Sequence, residues 1–228
     1  VSSLMLALII MLVPVYSSAT IIGSAHDLSS ISGGMISSIN EDEICVFCHT
    51  PHGAVPPDRL GYRPPLWNRS LNENAVFNMY SSLTFDGSYD NNKPTGQSLM
   101  CLGCHDGVST FSAIINYSPD PILMSGINAF GEFPYPPSHD VNIGSDLRND
   151  HPVSFVYDGN LVALDTARRG TAGLNTPVIT GIGALKLYNW RMECTTCHDP
   201  HENDIADRKP FLRMSNTGST MCTTCHIM

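Results

Sequence analysis

Along most of this chain, apolar and polar positions follow one another without a sustained period, so long helices and long strands are not predicted. Leu4 to Val15 is the exception, a nearly unbroken apolar run of twelve residues followed by Tyr16-Ser17-Ser18-Ala19. A bilayer span needs about 20 such residues. The run matches instead the apolar region of a secretory leader, with Ser17 and Ala19 as the small residues of a cleavage site. Residues 1–19 are therefore expected to be a signal peptide; the alternative is a buried helix kept in the mature chain. Further along, Val153 to Tyr157 alternates like a short strand, and Gly183 to Trp190 could supply another. Short helical turns are expected at four cysteine motifs, with Thr110 to Ile115 extending the second of them. The pattern thus predicts mostly coil, with few short helices and little strand.

Composition narrows the class. The chain has 228 residues, 18 Gly and 16 Pro, and only 14% of its residues are charged. A coiled coil, a long helical bundle and a charge-rich disordered tail are excluded. The 12 Lys and Arg stand against 21 Asp and Glu for a net charge of −9, with lysine only at positions 93, 186 and 209. No basic stripe exists, which argues against nucleic acid and against an anionic membrane surface.

All eight cysteines fall in one five-residue pattern: Cys45-Val-Phe-Cys48-His49, Cys101-Leu-Gly-Cys104-His105, Cys194-Thr-Thr-Cys197-His198 and Cys222-Thr-Thr-Cys225-His226. Chance at this composition gives about 0.01 occurrences of CxxCH in the chain, and the pattern is the attachment signature of c-type haem. The spacing follows from the chemistry. Two thiols add across the two vinyl groups of one porphyrin, and the next residue delivers its imidazole to the iron. A disulfide framework in an exported protein does not call for a histidine after every second cysteine. Zinc sites built from paired CxxC motifs do not need one either. Four covalently attached haems c are expected, numbered here in chain order.

Four proximal histidines leave His26, His52, His139, His151 and His201. Four irons need four sixth ligands, so histidine can fill every site with one to spare, whereas no methionine recurs at a fixed offset from the motifs. Cys48-His49-Thr50-Pro51-His52 and Cys197-His198-Asp199-Pro200-His201 are the same phrase, CHxPH. A histidine three residues past a proximal histidine cannot reach the far face of the same porphyrin, but it can reach a neighbouring iron. The phrase therefore implies two haems nearly in contact. His26, His52, His151 and His201 are the expected distal ligands, and His139, on a proline-rich loop, is the expected spare.

CHxPH opens each half of the chain and a plain CxxCH closes it. Residues 20–117 are expected to hold haems 1 and 2, residues 118–149 to form a Pro- and Gly-rich connector, and residues 150–228 to hold haems 3 and 4. The 209 residues after the leader (228 − 19) leave about 52 per haem. So thin a coat implies that a stacked chain of haems is itself the apolar core. Two Asn-x-Ser sequons, at Asn68 and Asn116, are open to glycosylation where the source has that machinery.

The chain resembles the paired-CxxCH multihaem cytochromes, and within them the tetrahaem subunits of extracellular cytochrome filaments. The residues that carry this are Ser24-Ala-His-Asp-Leu28, Cys45 to His52, Pro65-Leu-Trp-Asn68, Tyr80 to Thr84, Pro94 to Gln97, Cys104-His-Asp-Gly107, Asn149-Asp-His-Pro152 and Cys194 to His226. The resemblance implies low-potential bis-histidine haems in a close-stacked chain, extracellular or cell-surface localisation, and head-to-tail polymerisation. It also implies that one iron is completed by a histidine of the neighbouring subunit, with His52 or otherwise His26 as donor and haem 3 or haem 4 as acceptor. Electron transfer with no substrate reaction is the expected function, alongside redox partners. A monomeric periplasmic shuttle cytochrome is the alternative. A nitrite- or hydroxylamine-type reductase would need one five-coordinate haem, and no variant attachment motif is present.

Overall fold

The computed structural model describes residues 21–56, 66–71, 75–117, 119–136, 139–202 and 208–228. The leader expected at residues 1–19 lies outside these. Most of the described chain is turn and irregular backbone, as its aperiodic pattern predicts. The regular elements are β1 (Ser37–Ser38), α1 (Gly96–His105), β2 (Met124–Ser125), β3 (Phe155–Val156), α2 (Gly159–Arg169), β4 (Arg191–Met192), α3 (Cys194–Cys197) and α4 (Thr220–Cys225). None of the described helices is long and apolar enough to cross a membrane.

The strands form two antiparallel pairs, β1 with β2 and β3 with β4. The strand expected at Val153 to Tyr157 is present as β3. Its partner is not the whole of Gly183 to Trp190 but the two residues after it. That stretch folds instead into tight turns, with isolated bridges pairing Ile182 with Leu185 and Tyr188 with Arg191. Asn189 and Trp190 take positive φ, 53° and 64°, to reverse the chain. The extension expected at Thr110 to Ile115 is absent too. Helix α1 stops at His105 because Gly107 turns left-handed at φ 73°. The Asp106 carboxylate then accepts the Val108 and Ser109 N–H groups at 3.0 and 2.7 Å.

Helix α2, which periodicity did not reveal, is fixed by its ends. The Asp158 carboxylate accepts from the Asn160 and Leu161 N–H groups, and Gly170 closes the helix at φ 75°. Helix α3 starts with Glu193, whose N–H donates to Thr196 Oγ1 at 2.9 Å.

The described apolar interior is broken into four clusters. The largest joins Phe155, Tyr157, Leu161, Leu185, Leu187, Met192, Met221 and Cys225, with Phe85 and Tyr89 of the first half packed against it. The smaller ones gather around Trp67 and Met100, around Phe77 and Leu102, and around Phe47 and Ile114. Cys48 borders two of these and Cys197 the largest. The halves also meet directly, since α1 packs on α3.

Candidate haem sites

All four motifs share one local geometry. The N–H of His49 donates to the Cys45 carbonyl oxygen at 2.8 Å, His198 to Cys194 at 3.0 Å and His226 to Cys222 at 2.8 Å, while the second motif closes helix α1. One helical turn thus sets the two sulfurs and the imidazole of each motif on the same side. All eight cysteines are unbridged. Among the described residues no three histidines, cysteines or acids converge as they would around a bare metal ion. A haem iron needs only two axial ligands from the chain.

Successive motifs are neighbours. Burial, with the Cys104 thiol among its neighbours, pushes the Cys48 thiol up to about 12. Cys101 is raised and Cys194 lowered, first of all because the two thiols share a hydrogen bond. Cys197 is pushed up to about 11 by burial, with the Cys225 thiol the next largest cause. Motifs 1 to 4 therefore follow one another through space in chain order.

The histidines fall into pairs. The ring centroids of His26 and His105 are 6.1 Å apart, those of His49 and His201 6.0 Å, and those of His151 and His226 6.4 Å. Each pair joins one motif histidine to one of the remaining five. Two imidazoles bound across one iron, at about 2 Å per bond, have centroids about 6.3 Å apart, so the residues fit a bis-histidine haem. The ring planes differ: 86° for His26 and His105, 73° for His151 and His226, and 20° for His49 and His201.

Hydrogen bonds aim these rings. Nδ1 meets the Val141 carbonyl oxygen at 2.7 Å in His105, that of Pro210 at 2.7 Å in His198, and that of Pro152 at 3.0 Å in His151. With the proton on Nδ1, each bond leaves the Nε2 lone pair free for a metal. Burial also holds His105 and His151 below the usual histidine range, favouring the neutral form that ligates. His201 Nδ1 faces the Asp199 carboxylate at 3.2 Å, which raises its basicity. The same contact with His201, helped by Arg213 Nη1 at 2.6 Å, lowers Asp199 to about 2.

Three histidines stand outside the pairs. His198 has its Nδ1 anchored, yet no described histidine ring lies across from it at the spacing of the pairs. His52 is exposed on the turn after motif 1, its carbonyl oxygen accepting from Thr50 Oγ1 at 2.9 Å. His139 stacks on Tyr135 at 4.2 Å, and its Nδ1 accepts the Val141 N–H at 3.4 Å, which leaves the proton on Nε2.

The sequence left open which motif His201 meets, and its ring lies against His49 of motif 1, on a turn where Arg213 holds Asp199. One expectation changes. Asn68 is fully buried and donates through Nδ2 to the Val46 and Asn116 carbonyl oxygens at 2.6 and 2.9 Å, so it offers no sugar-acceptor site. Four supporting residues gave no sequence signal: Arg69, Glu193, Asp199 and Arg213 each act through a partner 14 to 98 residues away.

A family described by a doubled CXXCH motif matches residues 189–227, the stretch carrying motifs 3 and 4. This match supports a multihaem c-type cytochrome, a class that binds haem c covalently and carries electrons. No curated protein matches the chain.

Proposed function

We propose that the chain binds four haems c in a close-stacked row and conducts electrons with no substrate reaction of its own. We further propose that it polymerises head to tail into an extracellular filament. The observation that carries this reading is the histidine remainder: three pairs are complete within the subunit, His198 lacks a partner among the described residues, and His52 is exposed and unused. One vacancy and one donor on the same chain suit a repeating assembly in which His52 completes the haem 3 iron of the next subunit. His26, the other candidate donor, already faces His105. A head-to-tail contact is heterologous and propagates unless its rotation closes a ring.

Exposed apolar side chains near the N-terminus, among them Ile22, Ile31 and Met35, offer surface for such a contact. Saturated irons leave no open position for small-molecule chemistry, which favours conduction over reduction of a substrate.

The test joins mass, microscopy and spectroscopy. Intact mass should exceed the polypeptide by four haems, and electron microscopy should show filaments. His52→Ala should abolish them and leave one iron per subunit high-spin. Three haems or fewer defeat the cofactor count. A native protein that stays a compact monomer at high concentration gives the shuttle reading instead. Filaments that survive His52→Ala with every iron low-spin defeat the trans ligand.

A further inference from the structure

Arg69 is the buried cation of the first half, only 1% exposed. Each of the other described arginines faces a carboxylate: Arg148 meets Asp146, Arg168 Asp86, Arg169 Asp165, Arg191 Asp90, Arg208 Glu202 and Arg213 Asp199. Arg69 faces backbone instead. Its Nη2 donates to the Thr110 and Phe111 carbonyl oxygens at 2.9 and 3.2 Å, and its Nη1 to that of Phe47 at 3.5 Å. Its Nε–H is buried without an acceptor.

These partners locate the charge. Phe47 lies inside motif 1, and Thr110 and Phe111 follow motif 2. The guanidinium thus bridges the backbone of motif 1 and the turn that follows motif 2. A buried guanidinium with no carboxylate paired to it among the described residues is costly to keep, so something in the loaded protein has to repay it. Asp106, the buried acid near Cys104, is committed to the Val108 and Ser109 groups.

We propose that Arg69 is a fixed buried cation that raises the reduction potentials of the haems at motifs 1 and 2, so that electrons settle preferentially in the first half of the molecule. The electrostatics give the sign. A ferric bis-histidine haem core carries one net positive charge, and it becomes neutral when it accepts one electron from a one-electron donor; no bond forms or breaks. A nearby cation repels the ferric core and leaves the ferrous core alone, so reduction is favoured. Because the guanidinium is buried, dissolved salt screens it little.

The proposal rests on the haem reading of motifs 1 and 2 but not on polymerisation, and its test separates the two. Haem-loaded Arg69→Gln and Arg69→Lys are titrated with dithionite and mediators beside the native protein, with haem loading checked by mass. Two of the four potentials should fall in Arg69→Gln, should stay near native in Arg69→Lys, and the native gap should persist at high salt. Missing haem at motifs 1 and 2 of the native protein defeats the underlying haem reading. Full loading with all four potentials unmoved in Arg69→Gln overturns the role of Arg69 alone. Should Arg69→Gln not retain its haems, the native protein decides by haem-resolved NMR: haems 1 and 2 reduced ahead of haems 3 and 4 supports the proposal, and the reverse order overturns it.

Discussion

The nine histidines share one side-chain chemistry, and their surroundings separate them. A carbonyl oxygen against Nδ1 turns His105, His151 and His198 into ligands-in-waiting, whereas an N–H donated to Nδ1 of His139 leaves that ring with its proton on the wrong nitrogen. Ring orientation adds a spectroscopic handle. Nearly parallel axial imidazoles split the iron d orbitals and give rhombic low-spin spectra, while crossed rings leave them nearly degenerate and give a large maximum g value. With the proposed haems held by these pairs, the ferric protein should therefore show a rhombic signal from an iron at His49/His201, and large-g signals from those at His26/His105 and His151/His226. His201→Ala should remove the rhombic signal alone. If it removes a large-g signal instead, the pairing is wrong.

At the scale of elements, Glu193 links the two helices that carry motifs 2 and 3. It stands at the start of α3, and its carboxylate accepts from Ser98 of α1 through both the N–H, at 3.2 Å, and Oγ, at 2.5 Å. Ser154 Oγ next to β3 donates to it at 3.1 Å. Burial pushes this carboxyl above its ordinary 4.5, and the hydrogen bonds only partly offset the shift. The folded protein then holds a proton that the unfolded chain has lost, so stability falls as pH rises from 4.5 through the raised value. Melting at a series of pH values should show that slope, and Glu193→Gln should flatten it. An unchanged slope in the variant would place its origin elsewhere.

What the sequence made legible at this scale follows from what is local. The CxxCH turns, β3 and the dominance of coil are written in neighbouring residues. Helix α2 was missed, because its signals are the caps Asp158 and Gly170 rather than a period. The pairs β1–β2 and β3–β4 were hidden because two-residue strands carry no period. The choice of partner for each histidine was hidden for a different reason: it depends on turns such as Asp199–Arg213, which fix a direction only after the chain has folded.

Across the whole molecule the two halves are laced together more tightly than their matching motif order suggests. Phe85 and Tyr89 of the first half enter the large cluster of the second, Arg191 pairs with Asp90 at 2.5 Å, and α1 rests on α3. Unfolding in urea should accordingly be one transition, with the same midpoint whether followed at the haems of the first half or of the second. Two separated midpoints would show the halves to be independent.

The contact between His49 and His201 also sets a timetable. A chain made from its N-terminus presents motif 1 early, and 152 further residues (201 − 49) must emerge before His201 arrives. Until then any iron held at motif 1 has an empty face, open to water, to a stray histidine such as His52, or to the assembly apparatus. On the proposed haem reading, the nascent protein passes through a stage with ligand-binding reactivity that the finished one gives up, and the last quarter of the chain is what ends it.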